Sequence, residues 1–190
     1  ARFLLEAIHS VLAQTNPAAE ILVVDDGSTD DPAAVVAPFA SVKLLRQDNQ
    51  GLSAARNAGL KAVRSDKVVF LDADDRLLPH AIAAGLACFA GAAGCGLVYG
   101  GYRLIDQHGQ ALSRDFYTAV GAEPYRDMLR GNQIGMHATV MYDRARLIAS
   151  GGFDPAVERC EDYDVYLRMA RDGPIASHAR VAAPRSKRSE

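Results

Sequence analysis

Two clusters of acidic residues, Asp25-Asp26 and Asp72-Ala73-Asp74-Asp75, have types and spacing that could do chemistry. Each follows a short apolar run without polar alternation, Ile21-Leu22-Val23-Val24 and Val68-Val69-Phe70-Leu71. Such runs read as strands buried on both faces of a parallel sheet. Ligands of open α/β sheets bind outside the carboxyl ends of the strands, so both clusters belong on one functional edge. Like charges packed together are unfavourable unless a cation or hydrogen-bond donors compensate them. Carboxylates are hard oxygen donors suited to Mg²⁺ or Mn²⁺, ions commonly held by one or two carboxylates plus substrate phosphates. The clusters therefore suggest capture of a metal-bound nucleoside diphosphate. The competing role for an acid after a strand is to cap the next helix, and for Asp30 and Asp31 that is the better reading. A third group, Glu161-Asp162 with Asp164, opens a segment whose Val165, Leu167, Met169 and Ala170 lie among polar residues. At a helix start a carboxylate is aimed by a rigid element, although it also complements the helix dipole.

The elements that must position these groups alternate between strand and helix. Phe3, Leu4, Ala7, Ile8, Val11 and Leu12 recur at three- and four-residue spacing, which is an amphipathic helix. It begins almost at residue 1 without a capping residue, and further sequence is expected upstream. After the strand at Ile21–Val24 come a short helix near Pro32–Pro38, a strand at Val42–Leu45, a loop at Gln47–Gly51 and a helix over Leu52–Val63. A helix near Pro79–Phe89 follows the second acidic cluster. This alternation predicts an α/β fold with a mostly parallel sheet. Beyond residue 96 the rhythm becomes mixed. Leu97–Ile105 and Ala111–Tyr117 flank the turn-like Asp106-Gln107-His108-Gly109 and read as a hairpin. A helix at Glu123–Arg130, a strand at Thr139–Tyr142, a turn at Gly151–Pro155 and a helix at Glu161–Arg171 complete the pattern. Residues 180–190 lose apolar periodicity and read as a disordered basic tail.

Composition narrows the function classes. The 190 residues are 49% hydrophobic and 23% charged, which suits a chain that buries a core. A formal charge of −2 supplies no basic field for nucleic acid. Cys88, Cys95 and Cys160 are an odd count without CxxC spacing and read as free thiols. No apolar run reaches the roughly 18 residues of a membrane span.

The segments Val23-Val24-Asp25-Asp26-Gly27-Ser28-Thr29-Asp30, Asn49-Gln50-Gly51-Leu52-Ser53-Ala54-Ala55-Arg56-Asn57 and Phe70-Leu71-Asp72-Ala73-Asp74-Asp75 resemble, in order and spacing, family 2 glycosyltransferases of the GT-A fold. Gly151-Gly152-Phe153-Asp154 and Glu161-Asp162-Tyr163-Asp164 are similar to that family's acceptor-side motifs, so the resemblance spans residues 3–172. It implies a Rossmann-like, mostly parallel sheet with a mixed β/α acceptor-side half. Residues 1–179 then form one domain, a donor half to about 95 and an acceptor half beyond. By the same resemblance Asp25 and Asp72 hold the nucleotide, Asp74 with adjacent Asp75 binds Mn²⁺ or Mg²⁺, and Asp162 is the catalytic base. Arg56 is expected at the donor diphosphate, where guanidinium matches phosphate oxygens. Glu161, Asp164 and His137 are acceptor-side candidates. The donor expected is a UDP-sugar and the acceptor a saccharide or lipid-linked saccharide. The expected location is the cytoplasm, at the inner face of the membrane.

The chemistry of such a transfer agrees with this division. Cleaving the sugar–phosphate bond builds negative charge on the departing diphosphate, which a metal neutralises. The attacking hydroxyl must lose a proton to a carboxylate on the opposite face. One base opposite a metal-held leaving group predicts inversion. The family normally has a strand before this first helix, and here that strand is expected either to lie upstream or to be missing. If missing, an edge of Ile21–Val24 is expected to be open to another chain, and with it comes the prospect of an oligomer or of an impaired, nucleotide-binding relative. A sugar-1-phosphate nucleotidyltransferase would need a Gly-rich loop that is absent. A phosphorylation receiver domain would leave Asp72–Asp75 and Glu161-Asp162 unexplained.

Overall fold

The structure is a computed structural model and describes residues 3–105, 110–112 and 114–186. In chain order its elements are α1 (Leu4–Leu12), β1 (Ile21–Asp26), α2 (Pro32–Val36), β2 (Val42–Gln47), α3 (Leu52–Ala62), β3 (Lys67–Val69), α4 (Ala81–Gly91), β4 (Leu97–Ile105), α5 (Pro124–Arg130), β5 (Val140–Asp143), α6 (Arg144–Ala149), α7 (Glu161–Asp172) and β6 (Ile175–Ser186). A single 3-10 turn, His137–Thr139, leads into β5. The protein is α/β, with helices packed on two sheets.

Strands β1 and β2 run parallel, with Val24 opposite Leu45 and Asp25 opposite Arg46. The second sheet has the order β3-β5-β4-β6. There β5 is antiparallel to both neighbours, while β4 and β6 are parallel. Among the described residues the pairings are thus two parallel and two antiparallel, and the four-stranded sheet is the mixed part. The reason lies in the connections. A βαβ crossover forces parallel pairing, as at β1-α2-β2, whereas β5 enters the sheet from the acceptor side of the chain between β3 and β4.

Most expected elements form within a few residues of their sequence positions. The expected hairpin is present as antiparallel bridges Tyr102–Phe116 and Ile105–Ala111, with the Phe116 ring stacked on Tyr102 at 5.1 Å. Its turn, Asp106–Gly109, lies outside the described residues. The tail is a correction: Ile175–Ser186 forms β6, paired with β4 through Ile105–Ser186. The segment Val181-Ala182-Ala183 carries the signal, since Ala182 and Ala183 are buried against the sheet. Two alanines are too weakly apolar to register as a strand in isolation. Residues 187–190 lie outside the described residues.

The main core sits under the second sheet. It joins Leu97, Tyr99, Val140 and Tyr142 from the sheet to Leu60 of α3, Phe153, and Val165, Tyr166, Met169 and Ala170 of α7. The buried positions on α7 recur at i, i+1, i+4 and i+5, one face of a 3.6-residue period, which anchors the body of the helix. A smaller cluster, Leu4, Ile8, Val36 and Val42, seats α1 and α2 on the first sheet.

Candidate functional site

Asp25 and Asp26 end β1, and their side chains do different work. Asp26 is a loop anchor. One oxygen accepts from Gln47 Nε2 at 2.8 Å and Gln50 N–H at 2.9 Å, and the other from Gly51 N–H at 2.8 Å. Desolvation pushes its carboxyl upward, but these donors outweigh it and hold the group below the usual range. They fix the loop that begins α3 at Gly51, whose φ of +88° needs a glycine. Asp25 is buried, with one oxygen accepting from Ser28 N–H at 2.9 Å. Its Oδ2 lies 3.2 Å from Arg46 Nε, yet that oxygen receives no hydrogen bond. Hydrogen bonding to Ser28 holds the Asp25 carboxyl below its usual range. Asp25 thus keeps one buried carboxylate oxygen, beside Arg46, at the carboxyl end of the strand.

Asp72 to Asp75 form the turn after β3, closed by the Asp75 N–H to Asp72 carbonyl bond at 2.9 Å. Asp74 is exposed and Asp75 half-buried. Among the described residues no three His, Cys, Asp or Glu side chains cluster to hold a metal by themselves. That donor set fits Mg²⁺ or Mn²⁺ only in the manner of one or two carboxylates completed by substrate phosphates.

Arg56 joins this turn to the acidic start of α7. Its side chain is 7% exposed, with Nη2 donating to Asp72 Oδ1 at 3.0 Å and Nη1 to Glu161 Oε1 at 2.6 Å. The guanidinium carbon lies 5.4 Å from the centroid of the Phe153 ring. Burial alone would lower the Arg56 pKa, but the Asp72 and Glu161 carboxylates override it and raise it. Its two Nη atoms are engaged by carboxylates, so it clamps the two halves of the site together. Asn57 next to it ties the same helix to the Gly151–Pro155 turn, donating to Phe153 O at 2.6 Å and accepting from Phe153 N–H at 2.9 Å.

On α7, Asp162 is half-buried, and its Oδ1 accepts from Tyr163 N–H at 2.8 Å. Its Oδ2 accepts from Tyr166 OH at 3.3 Å. Glu161 belongs to the Arg56 clamp. Asp164 pairs with Arg168 at 2.7 Å, and Arg168 also donates to the carbonyls of Ser150 and Gly152. His137 is 7% exposed and enclosed by Phe70, Tyr142, Phe153 and Tyr166, with ring centroids at 5.7, 5.9, 5.7 and 6.2 Å. The structure thus brings Asp72, Glu161 and Asp162 to one edge and places Asp164 and His137 in supporting positions. The sequence reading overlooked Tyr142 and Tyr166; the i, i+4 spacing of Asp162 and Tyr166 was the available signal.

The family profile described as Glycosyl transferase family 2 matches residues 1–144. The chain belongs to glycosyltransferase family 2. The chondroitin synthase of Escherichia coli is 29% identical over 178 residues, covering 92% of this chain and 25% of that protein. An uncharacterized glycosyltransferase of Nostoc sp. is 37% identical over 134 residues, 63% of this chain and 42% of that protein. The putative teichuronic acid biosynthesis glycosyltransferase TuaG of Bacillus subtilis is 29% identical, covering 90% of this chain and 68% of its own length. In solved structures, S. aureus TarS 1-349 in complex with UDP-GlcNAc superposes with a TM-score of 0.77 at 21% identity, covering 100% of this chain and 56% of TarS 1-349. That likeness shows the GT-A fold. The chain spans a quarter to somewhat under half the length of the first two relatives. This glycosyltransferase has, among its described residues, no helix long and apolar enough to cross a membrane.

Proposed function

We propose that this glycosyltransferase domain moves a sugar, with inversion, from a UDP-sugar held with Mn²⁺ or Mg²⁺ to a saccharide or lipid-linked saccharide acceptor. The observation that carries the reading is the Arg56 clamp. It joins Asp72, beside the metal-type carboxylates, to Glu161, the neighbour of Asp162. A leaving-group site and a base are thereby held on one edge, which is what displacement at an anomeric carbon requires. The resemblance to TarS 1-349, whose structures include complexes with UDP and UDP-GlcNAc, favours a UDP-sugar donor.

In this reading Asp25 accepts from the base or ribose through its undonated oxygen, and Asp72 lies beside the ribose. Asp74 with Asp75 would hold the ion, which when bound neutralises charge on the departing diphosphate. Asp162 takes the proton of the attacking hydroxyl. Its place on the first turn of α7, anchored by Val165 and Met169, keeps the carboxylate from drifting.

Calorimetric titration tests the donor site. UDP should bind wild type in Mn²⁺, and the binding should be lost in EDTA and in Asp74→Asn; GDP serves as the control. Asp162→Asn should bind UDP as wild type does and lose turnover by about 10²-fold or more. Binding without turnover in wild type would instead mark a nucleotide-binding relative. Absence of UDP binding would overturn the proposal.

A further inference from the structure

The metal-type carboxylates lie on a stretch of backbone with no regular structure of its own. Residues 70–80 connect β3 to α4 without helix or strand. Asp72, Asp74 and Asp75 fall in its first half, where like charges repel one another unless a cation or donors offset them. The second half is held from outside, by the end of α1.

Ser10, in the last turn of α1, and Gln14, just past its end, make the hold. Ser10 Oγ donates to Ala7 O at 2.7 Å, which commits its proton, and accepts from Leu77 N–H at 3.1 Å. Gln14 is 6% exposed, and its amide is fully used. Its Nε2 donates to Ser10 O at 3.0 Å and to Leu78 O at 2.8 Å, while Oε1 accepts from Ile82 N–H at 3.0 Å. Only this orientation of the amide works, since a flip would set its oxygen against two carbonyls and its N–H groups against another N–H. Ile82 is the second residue of α4, whose N-cap His80 makes no side-chain cap bond, so Gln14 caps that helix from another element. Thr15 N–H donates to Pro79 O at 2.8 Å, and on the far side Leu78 N–H donates to Ala182 O of β6 at 2.8 Å. The Glu6–Arg76 pair at 3.2 Å is too exposed to add much. Leu4 and Ile8 meanwhile seat α1 on the first sheet. One helix thus ties the sheet that carries Asp25 to the segment that carries Asp74.

We propose that Gln14, seconded by Ser10, is a positioning residue for the ion site. The strap from α1 holds residues 77–82, and through them the Asp72–Asp75 turn that offers its carboxylates to the ion. This inference rests on the reading of Asp74 and Asp75 as the residues that hold it. Ser10 and Gln14 act only through the backbone of Leu77, Leu78 and Ile82. An apolar side chain of similar length at position 14 would strand the Ile82 N–H and the Leu78 carbonyl, and the segment must shift to rehydrate them.

Two measurements on the whole chain test it. Amide hydrogen exchange reads the strap itself. Leu77 and Ile82 should be protected in wild type, and Gln14→Met should speed exchange at Ile82 by about tenfold or more. Fast exchange at both amides in wild type overturns the strap. Mn²⁺ binding in the presence of UDP, followed by loss of the free-ion EPR signal, reads the consequence. Gln14→Met should weaken it by about tenfold, and Ser10→Ala, which removes the Leu77 acceptor, by about threefold. Ser10→Ala decides the matter if Gln14→Met does not fold. Leu147→Ala, a truncation of a fully buried side chain in α6, should lower Tm and keep the wild-type affinity. An equal loss of affinity there would make the effect one of stability and overturn the positioning role. So would wild-type affinity in Gln14→Met and Ser10→Ala beside a loss in Asp74→Asn. Absence of Mn²⁺ binding with UDP in wild type overturns the ion-site reading, and the positioning role with it.

Discussion

Arg56 satisfies two carboxylates with one guanidinium, and the balance of exposure decides what its loss costs. Asp72 is 41% exposed and can be rehydrated, whereas Glu161 is 13% exposed and cannot. Removing the partner of a buried charge is far more harmful than replacing the pair with apolar groups. Arg56→Met is expected to destabilise the fold by about 3 kcal/mol, the low end of the range for a broken buried pair. Arg56→Lys should recover only part of that, because an ammonium cannot donate to both carboxylates in the fork geometry. Urea unfolding of the three proteins measures both. If Arg56→Met unfolds with the wild-type midpoint, the clamp is incidental.

At the scale of elements, α3 is the bridge between the two sheets. Gly59 lets it approach β1, where an added Cβ would meet Val24 at 3.3 Å. Asn57 and Arg56 reach the other way, to Phe153 and α7. The Gly151-Gly152 turn is shaped for that contact. Gly152 has φ +66°, and a Cβ there would lie 2.6 Å from Asn57 Oδ1. Gly152→Ala therefore both strains the backbone and pushes Asn57 off the Phe153 N–H. A loss of about 2 kcal/mol is expected, read as a fall in Tm, with no loss for Gly91→Ala at the end of α4, where a Cβ meets nothing within 4 Å. Equal losses at the two positions would show that the α3 contact carries no energy.

For the whole molecule, the buried histidines set how stability depends on pH. Burial holds both His137 and His178 below the usual 6.5, so the folded state resists protons that the unfolded chain accepts. Their contribution is complete above pH 6.5 and is lost progressively as pH falls below it, toward the depressed folded-state values. Each histidine contributes a slope of up to about 1.4 kcal/mol per pH unit in that window. The Tm should accordingly fall between pH 7 and pH 5, and His137→Gln should flatten the decline even if it lowers Tm throughout. A wild-type Tm independent of pH over that interval would refute the assignment.

The acids after the two apolar strands, the helix-start position of Asp162 and the α/β alternation were legible from residue types and local period alone. Apolar runs, caps and helix faces are short-range properties that the chain encodes wherever it folds. By contrast, the expected burial on both faces of a parallel sheet is not met: Ile21–Val24 and β3 are only half-buried, and β3 pairs antiparallel with β5. Strand order was not legible: nothing local to Val140–Asp143 says that it enters between β3 and β4 and turns the second sheet mixed. Nor could the sequence show that Val181–Ser186 completes β6, since pairing with β4 supplies what its weak apolar pattern lacks. Arg56 and Glu161 stand 105 positions apart, and only tertiary packing makes them partners. Residue chemistry is written in the sequence, but a buried side chain takes its role from its neighbours, and for Arg56, Asp164 and His137 those neighbours come from other turns, strands and helices.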